Sequence, residues 1–185
     1  FTDYRNRNYN QQIDIGGWGG DDGYAVYYQN GGWNNLPYKK ITKTANGTGG
    51  SYINEHSYFT LEEGKTYTIS CYMRSDRPQT HNGHLLALNR NSDNAYFVPS
   101  NIILSTEWER KTWTHTVASG GGSNTYHFRQ IVYTDTPTDV YWSALQVEEG
   151  SLATKYVNGV RLDTASILDV SPTQSTITAS NLTYR

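Results

Sequence analysis

Cysteine and methionine are almost missing from this 185-residue chain, with one of each, and long apolar runs are missing altogether. The single cysteine, Cys71, rules out an intrachain disulfide and any paired-cysteine zinc or redox motif. No stretch reaches the roughly 18 apolar residues that a membrane-spanning helix needs, and Asp and Asn near the N-terminus break a secretory-signal pattern. Excess charge is missing too: 15 Lys and Arg face 17 Asp and Glu, a net −2, which provides no field for capturing DNA or an anionic membrane. Neither nucleic acid nor membrane insertion is therefore expected. The chain begins at Phe1 rather than Met and reads as a portion of a longer polypeptide.

What is present points to strands. The chain has 16 Tyr and 17 Gly beside many Thr, Asn and Ser, residues that suit half-buried pleats and turns, while helix formers are few. Its length suits one domain with a proper core. Short alternating runs separated by turn residues follow one another, as in a two-sheet sandwich: 24–29, 37–44, 51–59, 66–74, 84–90, 95–98, 111–118, 125–134 and 139–147. The Asn46 to Gly50 cluster supplies a reversal, so its flanking runs are expected to be neighbouring strands. Alternation assigns Tyr67, Ile69, Cys71 and Met73 to the core, together with Tyr126, Phe128, Gln130 and Val132 and with Trp113, His115 and Val117. Trp142 alternates with Ala144 and Gln146, and its side is left open. From Asn158 the dense aromatics give way to a Thr- and Ser-rich stretch, which divides the chain into a domain over 1–157 and a linker or the beginning of a following module over 158–185.

Three segments in order carry a resemblance: GKTYTISCYMRSD from Gly64, WERKTWTHTVA from Trp108 and YWSALQVEEGSLATKYV from Tyr141. Together they resemble the jelly-roll carbohydrate-binding modules, including those in phage tail-fibre and other virion proteins. The stretches 159–161, 169–171 and 176–184 resemble the opening of a laminin-G or concanavalin-like module. The resemblance implies an all-β, two-sheet antiparallel jelly-roll β-sandwich with a short C-terminal extension. It gives Trp108 a structural, strand-opening position. It also implies a structural calcium ion, for which Asp14, Asp21, Asp22 and Asp139 are the conceivable ligands, although the late strand lacks the expected acidic residue.

Catalysis finds no footing. The pairs Glu62–Glu63, Glu107–Glu109 and Glu148–Glu149 fall at turns and strand ends, where carboxylates are ordinarily solvated, and no GxSxG, HExxH or phosphate-loop motif occurs. His81 and His84 would hold a metal only with a third ligand, and a plain polar loop accounts for them.

Aromatic side chains beside amides are the stronger feature, because sugars are bound by rings against their C–H faces and by polar groups on their hydroxyls. Trp18, Tyr24, Tyr27, Trp33 and Asn34 crowd the first 40 residues, with Trp18 and Trp33 in glycine-rich loops where a loop-anchor role is the plainer reading. On the sheet, His127, Arg129 and Tyr133 share one side of their strand and could line a groove with Tyr72 and Arg74; an ordinary solvated sheet face fits equally well. The expected function is a non-catalytic, glycan-binding adhesion module of a viral fibre or extracellular multidomain protein. The alternative is a structural module of a virion, fibre or filament. The expected partners are a cell-surface or extracellular polysaccharide, other subunits of the parent assembly and further copies of the chain, on an extracellular or virion surface.

Overall fold

Alternation along Thr66–Ser75 decides the packing: Ile69, Cys71 and Met73 are fully buried and Tyr67 nearly so, while Tyr72 and Arg74 stand half-exposed on the other side of the same strand. The computed structural model describes residues 13–18, 23–28, 30–44, 50–55, 58–120, 124–134 and 136–156, the side chains of 13–18, 23–27 and 50–55 excepted. The proposed boundary at 157–158 and the extension beyond it lie outside the described residues.

Thirteen strands run β1 Ile13–Trp18, β2 Gly23–Tyr28, β3 Tyr38–Lys43, β4 Gly50–Glu55, β5 Phe59–Thr60, β6 Thr66–Ser75, β7 Gln79–His81, β8 Ala87–Arg90, β9 Tyr96–Phe97, β10 Ile102–Leu104, β11 Glu109–Thr116, β12 Thr125–Tyr133 and β13 Thr138–Glu149. Single 3-10 turns at Trp33–Asn35 and Gly83–Leu86 are the only helical pieces among the described residues. One sheet has the order β1-β4-β12-β8-β9 with β5 also on β12, the other β11-β6-β13-β3-β2, and β7 pairs with β10. Every pairing is antiparallel. This is the expected jelly-roll β-sandwich.

The core lies between the sheets. β6, β13 and β12 supply Ile69, Met73, Val140, Trp142, Tyr126, Phe128 and Val132, and Leu85, Leu86 and Leu88 complete it. Trp142, whose side alternation left open, points inward, and its indole N–H donates to the Leu85 carbonyl at 2.9 Å, so its one polar atom is paired. A β-bulge between Ser143 and Gln146, with Ala144 at φ +55°, then shifts the parity of β13, which is how both Trp142 and Val147 reach the core. Cys71 is sealed between β6 and β13, its thiol aimed at the Ser143 carbonyl.

Several expectations are corrected. β3 and β4 are not neighbours: β3 pairs β2 and β13, whereas β4 pairs β1 and β12. Six residues at about 3.3 Å each reach across the roughly 10 Å between packed sheets, so a reversal signal does not say whether the chain returns to the same sheet. Trp18 closes strand β1 instead of sitting in a loop, and His84 belongs to a 3-10 turn, with the strand beginning at Ala87. Lys39 and Lys43 flank Ile41 on the inward side of β3 and are 2% and 1% exposed; the Lys43 ammonium donates to the Thr134 carbonyl. Nothing in the pattern of charge announced two buried lysines.

Candidate functional site

The sandwich has two outer faces, and the sequence-predicted residues are divided between them. Tyr72 and Arg74 project from β6 in one sheet, and His127, Arg129 and Tyr133 from β12 in the other, each set opposite its strand's core residues. They stand on opposite sides of the molecule, so the single groove expected from them does not exist. The ligands expected near the N-terminus are likewise split, since Trp18 lies in β1 of the β12 sheet and Tyr24 and Tyr27 in β2 of the β6 sheet.

The outer face of the β12 sheet holds residues that are themselves fully buried. Ile131 alternates with the core residues of β12, yet it is 1% exposed while standing outside the core cluster. Asn89 and Ala87, the cross-strand partners of His127 and Arg129, are equally buried at 1% and 0%. Half-exposed side chains stand around these buried outward residues. Arg129 bonds the Tyr96 hydroxyl and lies over that ring, 5.4 Å from its centroid. His84 meets both Tyr96 and Tyr133 with ring centroids 5.5 Å apart, and Tyr58 meets His127 at 5.2 Å. Backbone register carries this face onward, placing Asn54 and Asp14 in line with Arg129 and Gly50 and Trp18 in line with Tyr133.

The Gly83–Leu86 turn sets His84 in place. Asn82 caps it, accepting from the His84 N–H at 3.1 Å, while Leu85 and Leu86 anchor the turn in the core. Burial, assisted by the Arg129 charge, holds the His84 imidazole below the usual histidine range. At neutral pH it is thus an uncharged ring that offers both a donor and an acceptor, and its Nδ1 is buried without a partner among the described residues. Sequence reading missed it as a ligand because one residue on a four-residue turn carries no periodic signal. Guanidinium, imidazole and phenol are the groups presented on this face, and they suit holding hydroxyls more than breaking bonds.

The outer face of the β6 sheet is built differently, because its rings pack on one another. Trp33 stacks on Tyr72 at 3.8 Å and 12°, and Tyr156 closes edge-on at 5.8 Å. Gly32 allows this: a Cβ there would sit 2.6 Å from the Leu36 carbonyl oxygen and from the Ser143 hydroxyl. Asn34 follows in the left-handed region at φ 51°, exposed, as part of the turn itself. Tyr28 and Tyr38 stack at 4.5 Å, and Tyr38, Trp108 and Tyr141 form a triangle with sides of 6.0 to 6.3 Å. The Arg74 guanidinium lies 4.0 Å from the Tyr141 centroid and 5.3 Å from that of Trp108.

Asp139, the described member of the expected calcium set, faces cations and donors. Lys40 approaches its carboxylate at 2.7 Å, the Thr42 hydroxyl at 2.6 Å and the Tyr141 hydroxyl at 3.2 Å. An oxygen cage for calcium does not form around a carboxylate already paired with an ammonium. Asp21 and Asp22 lie outside the described residues, as does the side chain of Asp14. Among the described residues no three His, Cys, Asp or Glu side chains gather in a way that could hold a metal, so His81 and His84 gain no third ligand. No helix among them is long and apolar enough to cross a membrane.

No protein-family description matches the chain, and no curated protein does. Its fold has counterparts among solved structures. A family 4 carbohydrate-binding module matches at TM-score 0.51 and 22% identity, over 68% of this chain and 78% of that one. The family 11 module from Clostridium thermocellum, in complex with a β-1,3-1,4-mixed-linked tetrasaccharide, matches at 0.51 and 9%, over 76% and 92%. The enzymatically active domain of tailspike protein 4 of bacteriophage CBA120 matches at 0.50 and 8%, over 75% of this chain but only 19% of the tailspike chain. At these identities the likeness is one of fold: the chain has the jelly-roll architecture of carbohydrate-binding modules.

Proposed function

We propose that the chain is a non-catalytic module that binds an extracellular polysaccharide along the outer face of the β12 sheet. The observation that carries this reading is the cluster of half-exposed Arg129, His127, His84, Tyr96 and Tyr133 gathered on that face. A sugar chain lying across this cluster meets aromatic rings and hydrogen-bonding groups together. The register of Trp18 and Asn54 extends the same strip. A saccharide complex of the structurally similar family 11 module supports the class of ligand.

Single-site affinity in such a shallow site is weak, about a millimolar, and repetition on a multisubunit assembly multiplies it. The test is a glycan array probed with a multivalent form of the full chain, with and without a calcium chelator. Binding confined to one glycan class and lost in Arg129→Ala supports the reading, whereas a blank array from well-folded protein overturns it. The chelator arm tests the calcium expectation, which now rests on Asp14, Asp21 and Asp22.

A second reading, a structural module of a viral fibre, is favoured by the tailspike likeness. It predicts an oligomer in light scattering that is lost when residues 159–185 are deleted.

A further inference from the structure

Arg74 is held without a counter-charge. Its guanidinium lies against the rings of Tyr141 and Trp108 at 4.0 and 5.3 Å, its Nε is buried, and no described residue gives it a hydrogen bond or an ion pair. The other cations on the same face are spent. Lys40 is paired with Asp139 at 2.7 Å, and Arg110 faces Glu148 at 4.0 Å while its Nη2 donates to Ser70 at 2.8 Å. Among Lys40, Arg110 and Arg74, Arg74 is therefore the one without an acidic partner among the described residues.

A guanidinium that lies on ring faces leaves its in-plane N–H groups off those rings, and with no carboxylate on them they have capacity for an anion. We infer that the outer face of the β6 sheet is a second carbohydrate site, one that takes an acidic sugar, a uronate, with its carboxylate on Arg74 and its ring against the Trp108 and Tyr38 side of the cluster. One surplus charge matches a carboxylate and undersupplies a dianionic phosphate. The aromatic surround of Trp108, Tyr141, Tyr38 and the 37%-exposed Tyr28 matches the C–H faces of a pyranose. This site lies on the opposite side of the sandwich from the β12 face, and neither depends on the other.

The experiment is a titration of the full chain with tetragalacturonate, followed through the Arg74 Nε–H resonance in nitrogen-edited NMR and through tryptophan fluorescence. The carboxyl-reduced tetrasaccharide and polyglutamate serve as comparisons. The expected result is a saturable shift of the Arg74 signal with the uronate alone, at least tenfold weaker fluorescence titration in Arg74→Gln, partial recovery in Arg74→Lys, and unchanged titration in Arg129→Ala. An unmoved Arg74 signal, equal binding of the carboxyl-reduced sugar, or an Arg74→Gln that is folded by circular dichroism yet binds normally would each overturn the site. An equal Arg74 shift with polyglutamate would overturn the sugar assignment in favour of an acidic protein. Arg129→Ala losing array binding without losing the Arg74 shift would separate this site from the first.

Discussion

The two outer faces of this sandwich carry similar side chains and use them in opposite ways. On the β12 side the rings meet tilted or edge-on at 5.2 to 5.5 Å, with imidazole and guanidinium groups set among them. On the β6 side Trp33 stacks on Tyr72 at 3.8 Å and Tyr28 on Tyr38 at 4.5 Å, so each of these rings has one face covered by its neighbour. Aromatic content alone therefore does not mark a binding surface; what counts is whether the π face is already covered.

Acid should have the largest effect. His81, beside the Tyr133 backbone, is held down to about 4 by burial, whereas it titrates near 6.5 when unfolded. The unfolded chain thus binds the proton first, so stability is lost as pH falls from about 6.5 to about 4 and this group takes no more below that; the loss approaches ~3 kcal/mol. Urea unfolding across that range should show the slope, and His81→Asn should flatten it. Burial lowers His115 of β11 in the other sheet as well, so a variant lacking His81 should keep a residual slope.

Replacing Trp33 by Ala removes the stack on Tyr72 and the edge contact to Tyr156, for an expected cost of about 2 kcal/mol. Its glycan-array pattern should stay as in the parent. An unchanged melting curve with lost array binding would make Trp33 a ligand contact after all. For Arg129→Ala the expectation reverses: array binding falls about tenfold, roughly 1.4 kcal/mol, through the lost donor, while denaturation midpoints move little. Smallest is Tyr28→Ala, an exposed ring whose loss should shift stability by no more than about 0.5 kcal/mol in denaturant titration.

The strand pattern was legible where burial is two-valued. β6 and β12 have one face in the core and one outside, so period two named their inward residues correctly. It failed where tertiary neighbours take over. Ile131 is covered from outside its own sheet's core, Lys39 and Lys43 are inward on β3, and the β13 bulge shifts parity at Ala144. The site was legible as residue types and illegible as an arrangement, because no local signal tells which of two sheets a strand joins. That is why Arg74 and Arg129 looked like partners and sit on opposite sides. The Trp33–Tyr72 stack likewise joins residues far apart in sequence, beside a Gly32 that approaches Leu36 and Ser143 too closely for any side chain.

The sealed thiol of Cys71 has a practical consequence. As the chain's only cysteine, 0% exposed between β6 and β13, it can react with an alkylating reagent only when those two central strands part. The labelling rate of a single atom then serves as a clock for opening of the sandwich. Any saccharide that binds the closed state slows that clock in proportion to its occupancy, whichever face it occupies and without an attached reporter.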